Sequence, residues 1–470
     1  MTARRNDRPT ARPPVRPLWA PDQLDARVIE LTVGDDRFWD SYLMRFDVLG
    51  SLGHVEGLHA SRLLSGVEYR RLRAGLRAAL HAVDRGRLVI GAEHEDVHSA
   101  VEHWLTRRLG ATGERLHTGR SRNDQIACDV RLFLKDRLSA LSFGALTVSA
   151  ALLEFAARYR TVLWPGYTHT RRAMPSSAGL WASALAEGLL DTLETLPALW
   201  AQVDRSPLGS AAGYGVPLPL ERRAAASALG FAGVEHNVAA VQNGRGKLEA
   251  AALFWCAQLG HELSRCAADV ILWSAEEYGW LRLPAGLATG SSIMPHKRNP
   301  DLLELARGRA AALEGDLAAV LALRGKLTTG YHRDFQLLKE PLVRGLHRTL
   351  ELLDIMGLVV PRLEVDRSRG LAALEGGALA TDEVMRRVEL GVPFRRAYRE
   401  VAAELKRGAA FSAPAASRLI ARRSSEGGLG NLGLPDAWRR WRALARWGER
   451  ERDRFARALA KLAGPRRRRR

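Results

Sequence analysis

The sequence predicts an all-α protein, and three observations carry that expectation. Apolar residues step by threes and fours along several long stretches, the spacing that lines one face of a helix. No convincing run alternates apolar and polar residues as a half-buried strand would. The chain has 470 residues, 46% hydrophobic and 26% charged. That is long enough for one large core or two to three domains, with the balance of a globular protein.

Taken in order, residues 1–17 read as a flexible basic arm, with five Arg against Asp7 and several Pro. Segments from Trp19 to about Arg108 are short and helical, interrupted at Gly50, Gly53 and Gly91. Within them Glu95 and Asp96 open a helix at its favourable end. His98 and Glu102 lie four apart on one face of it, a spacing that suits either a surface pair or a site. The polar stretch HTGRSRNDQ at 117–125 follows. Arg120 and Arg122 in it can grip a carboxylate through charge-assisted forks. A solvated turn with Asp124 capping a helix is the equally open reading.

Long helices are expected over about 126–159, 176–204 with a kink at Pro197, 247–277, 301–324 and 340–359. At 1.5 Å per residue the third of these is about 45 Å long. Its apolar residues spread beyond one stripe, so it belongs inside a bundle. Pro361 ends the bundle, and shorter helices are expected beyond it. The domain boundaries read as an arm over 1–17, a helical domain over 18–112, a long-helix bundle over 113–361, a small helical domain over 362–464 and a basic tail over 465–470.

Composition narrows the function classes. The formal net charge is +19, but the two termini supply +9 of it through the arm and the five Arg at 466–470. No aromatic interleaving or recognised module accompanies them, so nucleic-acid binding is not expected beyond weak contacts through these ends. No stretch of about 18 uncharged apolar residues marks a membrane span, and the first residues lack an apolar signal core. Cys128, Cys256 and Cys266 are scattered, which suits a reduced, cytoplasmic compartment and fits neither a disulfide framework nor a zinc pattern.

The richest stretch is Gly290-Ser291-Ser292-Ile293-Met294-Pro295-His296-Lys297-Arg298-Asn299-Pro300. Gly and Ser make a mobile polar start. Pro300 and Asp301 suit the first turn of a helix, whose positive end attracts anions. Ser291 is a candidate base if donors and cations stabilise its alkoxide. Lys297 and Asn299 can hold a carboxylate that gains charge, and Glu304 can orient a histidine. His169, in the turn Tyr167-Thr168-His169-Thr170, can shuttle a proton near neutral pH. Tyr331, Gln336 and Lys339 offer a hydroxyl, an amide and an ammonium to a polar zwitterion. Together these parts suit removal of a weakly acidic proton beside a carboxylate, with no redox cofactor and no metal required.

The spacing GSSxMPxKxNP resembles the signature of the fumarase/aspartase superfamily. The chain from about residue 20 to 455 resembles argininosuccinate lyase and its delta-crystallin relatives. HTGRSRNDQ, GYTH at 166–169, PLGSAAGYG at 207–215 and YHRDFQLLKE at 331–340 occur in that family's order. The resemblance implies a three-domain, fumarase/aspartase-like subunit whose long central bundle packs into a homotetramer. Each active site would be built from three subunits and would release fumarate from argininosuccinate. It implies Ser291 and His169 as the catalytic pair, joined by Lys297 and Glu304. Asn123, Thr168, Asn299, Tyr331, Gln336 and Lys339 would contact substrate, with Arg122, Ser121 and His98 beside them. Departures include Arg171, Met174, Asn243 and His332, and Asp36 falls near a substrate-contact position usually held by Ser. Adenylosuccinate lyase, which shares PHKRNP, and a silent crystallin-type protein are the rival readings.

Overall fold

The computed structural model describes residues 25–374, 376–411 and 415–464; the basic arm and tail named above lie outside them. Numbering only the elements used below, the N-terminal part contributes α1 (Met44–Ala60), α2 (Gly66–Val83) and α3 (Val97–Leu109). The bundle follows: α4 (Arg122–Arg158), the strands β1 (Leu163–Thr168) and β2 (Arg171–Ser177), then α5 (Ala178–Glu194), α6 (Leu196–Val203) and α7 (Lys247–Ser274). It closes with β3 (Leu281–Arg282), α8 (Asp301–Arg324), α9 (Lys339–Val359) and β4 (Glu364–Val365), before α10 (Leu434–Ala463).

Helix α4 starts four residues earlier than the apolar pattern shows. Ser121 accepts the Asn123 N–H at 3.2 Å, and Asp124 reaches back to the Ser121 N–H at 2.9 Å. This reciprocal cap satisfies donors that the helix start leaves orphaned. The first turn is polar because it faces a cleft, so periodicity could not reveal it. The expected helix over 176–204 is two helices. Pro197 stands in the first turn of α6, where its missing N–H costs nothing, and the break falls just before it at Thr195.

Helices α7, α8 and α9 pack on one another, and α4 packs on α5 and α9. Leu134, Leu138, Leu141, Val148 and Leu152 of α4 are all buried, as the spacing required. Among the described residues α4 is also the one helix long and apolar enough to cross a bilayer by length and composition. Here it is the core helix, with Asp129 and Lys135 sealed inside the packing.

Two features differ from expectation. Past residue 362 the helices are short only as far as Ala421; α10 has 30 residues and returns to pack on α4 and α5. Its many Arg and Trp hid a narrow apolar seam. Lys135 of α4 ties that helix down: its ammonium donates to Asp204 and to Gly230 O, and sits 4.6 Å from the Phe455 ring centre.

The second difference is β-structure. Among the described residues there are three two-stranded sheets, and the chief one is the β1–β2 antiparallel hairpin. Its base is welded by aromatic contacts. The Trp164 ring lies 5.1 Å from Trp273 and 5.8 Å from Trp280, and Tyr167 lies 5.6 Å from Trp280. Trp280 immediately precedes β3, which pairs with β4. One aromatic cluster therefore anchors both the hairpin and the segment leading into 290–300.

Candidate active site

Two groups of candidate residues emerge, one in a cleft and one on exposed loops. The cleft, of about 180 Å³, is lined by Asp36, Asp40, Glu95, Asp96, His98, Arg122, Asn123, Arg245, Tyr331, Arg333, Gln336 and Lys339 among others. It lies where the first turns of α3, α4 and α9 converge. Orphaned N–H groups and helix dipoles there favour polar, anionic ligands.

Lys339 is 6% exposed, and its Nζ lies 2.6 Å from both Asp36 Oδ1 and Asp40 Oδ1. Burial opposes its charge, but Asp40 and Asp36 outweigh that and hold its pKa up. Burial pushes Asp36 up to about 7, with Lys339 pulling the other way and Asp40 adding to the rise. Three charges in so small a volume leave room for one shared proton near neutrality. Asp40 also accepts the Val97 N–H at 3.2 Å, so the same carboxylate fixes the start of α3.

Arg122 Nη1 lies 2.5 Å from Glu95 Oε2 and 3.1 Å from Asp96 Oδ2. Burial works against Asp96 as an anion, yet His98 and Arg122 win and lower its pKa. Gln336 donates to Thr32 O at 2.9 Å and Val33 O at 3.1 Å. Tyr331 keeps 38% of its surface exposed, with its ring edge-on to Phe335. Asn123 lines the cleft beside them. Ser121 does not line it; its hydroxyl serves as the α4 cap.

His98 does not pair with Glu102 on the surface. It is buried, and its Nδ1 lies 2.7 Å from Asp47 Oδ1. Reading the sequence missed Asp40, Glu95 and Arg333 as cleft residues. It also missed Arg245, whose guanidinium lies 5.6 Å from the Phe335 ring centre. Two departures noted above serve the Tyr331 loop. Asn243 Oδ1 accepts the Gly330 N–H at 2.9 Å, and His332 Nε2 lies 3.1 Å from Thr328 Oγ1.

The second group sits elsewhere. Thr168 and His169 form the exposed tip of the hairpin, with φ of +50° at His169 and +56° at Thr170. Such values in non-glycine residues mark a tight turn under local strain. Ser291 accepts the Met294 N–H at 3.2 Å, Asn299 Nδ2 donates to Gly290 O at 3.4 Å, and Lys297 is exposed. Thr289 and Asn299 bridge the ends of the loop. Glu304, in the first turn of α8, is exposed, and no hydrogen bond within the described chain joins it to His169.

Helix length separates the groups. Helix α4 has 37 residues, about 55 Å at 1.5 Å per residue. Asn123 is in its first turn, and the hairpin follows its last. Likewise α8 has 24 residues, about 36 Å, with the 290–300 loop before it and the Tyr331–Lys339 segment after it. Within one chain the cleft and the loops lie at opposite ends of the bundle.

Comparison with known proteins decides the family. A family model described as lyase matches residues 59–315. The chain is 42% identical to the argininosuccinate lyase of Sorangium cellulosum, over 88% of this chain and 96% of that one. It is 40% identical to the argininosuccinate lyase of Thermotoga neapolitana, over 81% and 95%. The chain belongs to the argininosuccinate lyase family. Solved structures agree with that placement. A structure of EDDS lyase in complex with formate superposes with a TM-score of 0.77 at 25% identity, over 93% of this chain and 94% of that one. A class II fumarase from Schistosoma mansoni shares the fold, with a TM-score of 0.66 at 15% identity over 80% and 91%. The family's all-α bundle is thus the architecture of this chain, with the hairpin and the signature loop displayed at one end of it.

Proposed function

We propose that the chain cleaves argininosuccinate to arginine and fumarate, as a carbon–nitrogen lyase of arginine biosynthesis. The observation that carries this reading, beside family membership, is the separation of the two groups. A polar cleft suited to a zwitterion stands at one end of the bundle, and exposed residues suited to carbanion chemistry stand at the other. Copies of the chain packed side by side would bring one subunit's cleft to another's loops. Outward-facing Phe254 and Leu272 on α7 and Leu305 and Leu321 on α8, each at least 44% exposed, suit burial in such a bundle-on-bundle assembly. The assembly is a homotetramer with each site shared among three subunits.

In this mechanism Ser291 removes the proton from the succinyl carbon. The resulting aci-carboxylate carbanion carries extra charge, which Lys297, Asn299 and loop N–H groups hold. Interactions of this kind accelerate reaction because they strengthen as charge develops. His169, oriented by Glu304, assists proton transfer. The carbon's electron pair then forms the double bond as the carbon–nitrogen bond breaks in an anti elimination. Asn123, Arg122, Tyr331, Gln336 and Lys339 hold the arginine half, and Thr168 bridges the two. We place the enzyme in the cytoplasm, where three buried free thiols would stay reduced.

The direct test is incubation with argininosuccinate and detection of fumarate by its ultraviolet absorbance and of arginine by chromatography. Adenylosuccinate in parallel separates the rival lyase, and absence of turnover on either substrate would leave the silent crystallin-type reading standing.

A further inference from the structure

A buried polar knot lies directly behind the cleft, and the chemistry above leaves it unused. His98, the second residue of α3, lines the cleft and is 6% exposed. Its Nδ1 is 2.7 Å from Asp47 Oδ1 on α1 and 3.9 Å from Asp129 Oδ2 on α4. Both carboxylates are 1% exposed, and Oδ2 of each is sealed from solvent without a hydrogen-bond partner. Buried orphan acceptors of that kind are costly and need an explanation.

The three groups present ligand atoms within 4.8 Å of one another, a spacing that could also admit a cation. One proton accounts for the arrangement more simply. Burial drives Asp129 well above the usual carboxylate range, and the neighbouring Asp47 charge drives it further. A neutral Asp129 then has an O–H to give Asp47, so the two orphan oxygens satisfy each other. Asp47 keeps a single negative charge, and that charge faces His98. Burial alone would strip the imidazole of its proton, but Asp47 reverses this, helped by Asp96 on the same helix and Asp40 before α1.

The other ring nitrogen carries the chemistry. Nε2 makes no hydrogen bond within the described chain and is not among the sealed orphan atoms. The ring therefore presents a donor to the cleft while its back is pinned. Gln125, whose amide nitrogen is placed 3.4 Å from Nδ1, would offer its oxygen instead once the imidazole is charged, since two donors cannot face each other. That orientation also gives a partner to Gln125 Oε1, otherwise orphaned.

We propose that His98, pinned by Asp47 and backed by a protonated Asp129, is the proton donor to the leaving guanidino nitrogen. The proposal rests on the lyase reading above. As the carbon–nitrogen bond breaks, its electron pair goes to nitrogen and the Nε2 proton forms the new N–H bond. The imidazole is left neutral. It regains a proton from water through the cleft mouth once arginine departs, while the proton taken from carbon leaves by way of the serine. Asp47 and Asp129 act through His98 and are positioning residues.

The test separates proton abstraction from bond cleavage. His98→Gln is incubated with argininosuccinate in deuterium oxide, and recovered substrate and fumarate are both measured. Elimination is expected to fall by about 10²–10³-fold, the scale of a general acid. Exchange of the succinyl proton for deuterium should persist and outrun cleavage, because the carbanion forms and then returns. Asp47→Asn, which keeps the shape of the pair, supplies the second reading. The alkaline limb of its kcat profile should move down by one pH unit or more. The groups facing the imidazole are Asp40, Asp47, Asp96 and Asp129, with Arg120, Arg122 and His117 nearby, and only Asp47 is altered. Exchange and elimination falling together in a folded enzyme, or an alkaline limb unmoved in Asp47→Asn, would overturn the assignment and leave the lyase reading intact. Failure of the unaltered enzyme to release fumarate would overturn both.

Discussion

The two ends of the bundle are built on opposite principles. At the cleft, charges are buried and already paired: Lys339 with Asp36 and Asp40, Arg122 with Glu95 and Asp96, His98 with Asp47. At the other end, His169, Lys297 and Ser291 stand on loops with few partners, held only at their roots by the Trp164–Trp273–Trp280 cluster. Buried ion pairs hold a geometry because an unpaired charge there is heavily penalised. Exposed loops can complete a site only when something else covers them. A binding half that is preorganised and a chemical half that waits for a neighbouring copy make activity a property of the assembly.

The largest effect should come from dividing the halves between chains. Ser291→Ala alone should lower kcat by about 10²–10⁴-fold, and Gln336→Ala alone should abolish useful binding. Refolding the two variants together should restore a measurable part of the fumarate release, since some sites would then draw both halves from intact chains. If mixed assemblies form, as native mass spectrometry would show, and stay as inactive as either parent, the division of labour is wrong.

Next in size are substitutions that test how each end is held. Lys339→Ala leaves two buried carboxylates unpaired and should cost about 3–5 kcal/mol in urea unfolding. Trp164→Ala, at 1% exposure, should cost a similar 3–5 kcal/mol. The functional signatures should differ. Lys339→Ala should raise KM most, because the cleft loses its ordering cation. Trp164→Ala should lower kcat most, because the hairpin tip and the signature loop share that aromatic root. Equal effects of both variants on KM and kcat would erase the distinction between the ends.

How far the sequence revealed these ends follows from what periodicity can record. The stripe through Leu134, Leu138, Leu141, Val148 and Leu152 exists because a bundle buries one face, so α4 was readable and so were α7 to α9. The hairpin was not, because β1 and β2 are short, contain Pro165, Gly166 and Pro175, and bury only their base. Helix α10 was masked by Arg residues that point outward around a thin apolar seam. Motif residues such as Asn123, Tyr331, Gln336 and Lys339 were legible as chemistry, and the fold gathers them. Their partners were not: Asp40 and Asp47 sit in unremarkable local sequence, and only the crossing of α1, α3 and α4 makes them a charge network.

The smallest effect isolates one group in that network. The Asp36 carboxyl is raised to about 7 from an ordinary value of 3.8. Between those values the folded chain holds a proton that the unfolded chain has released, so stability falls as pH rises from about 4 to 7. The contribution is fully present below the unfolded value and is lost as pH passes through the folded one. Asp36→Asn mimics the neutral acid and has nothing to release, so it should remove this slope while leaving Lys339 paired with Asp40. Urea midpoints for both proteins at pH 5 and pH 8, at one fixed protein concentration, give the comparison. The variant should gain about 1–2 kcal/mol relative to its parent between the two, less than the full shift because Asp36, Asp40 and Lys339 titrate together. A parallel pair of profiles would place the proton elsewhere in the cleft, and Asp36 would then be an anion holding one side of the Lys339 ammonium at every pH where the enzyme is folded.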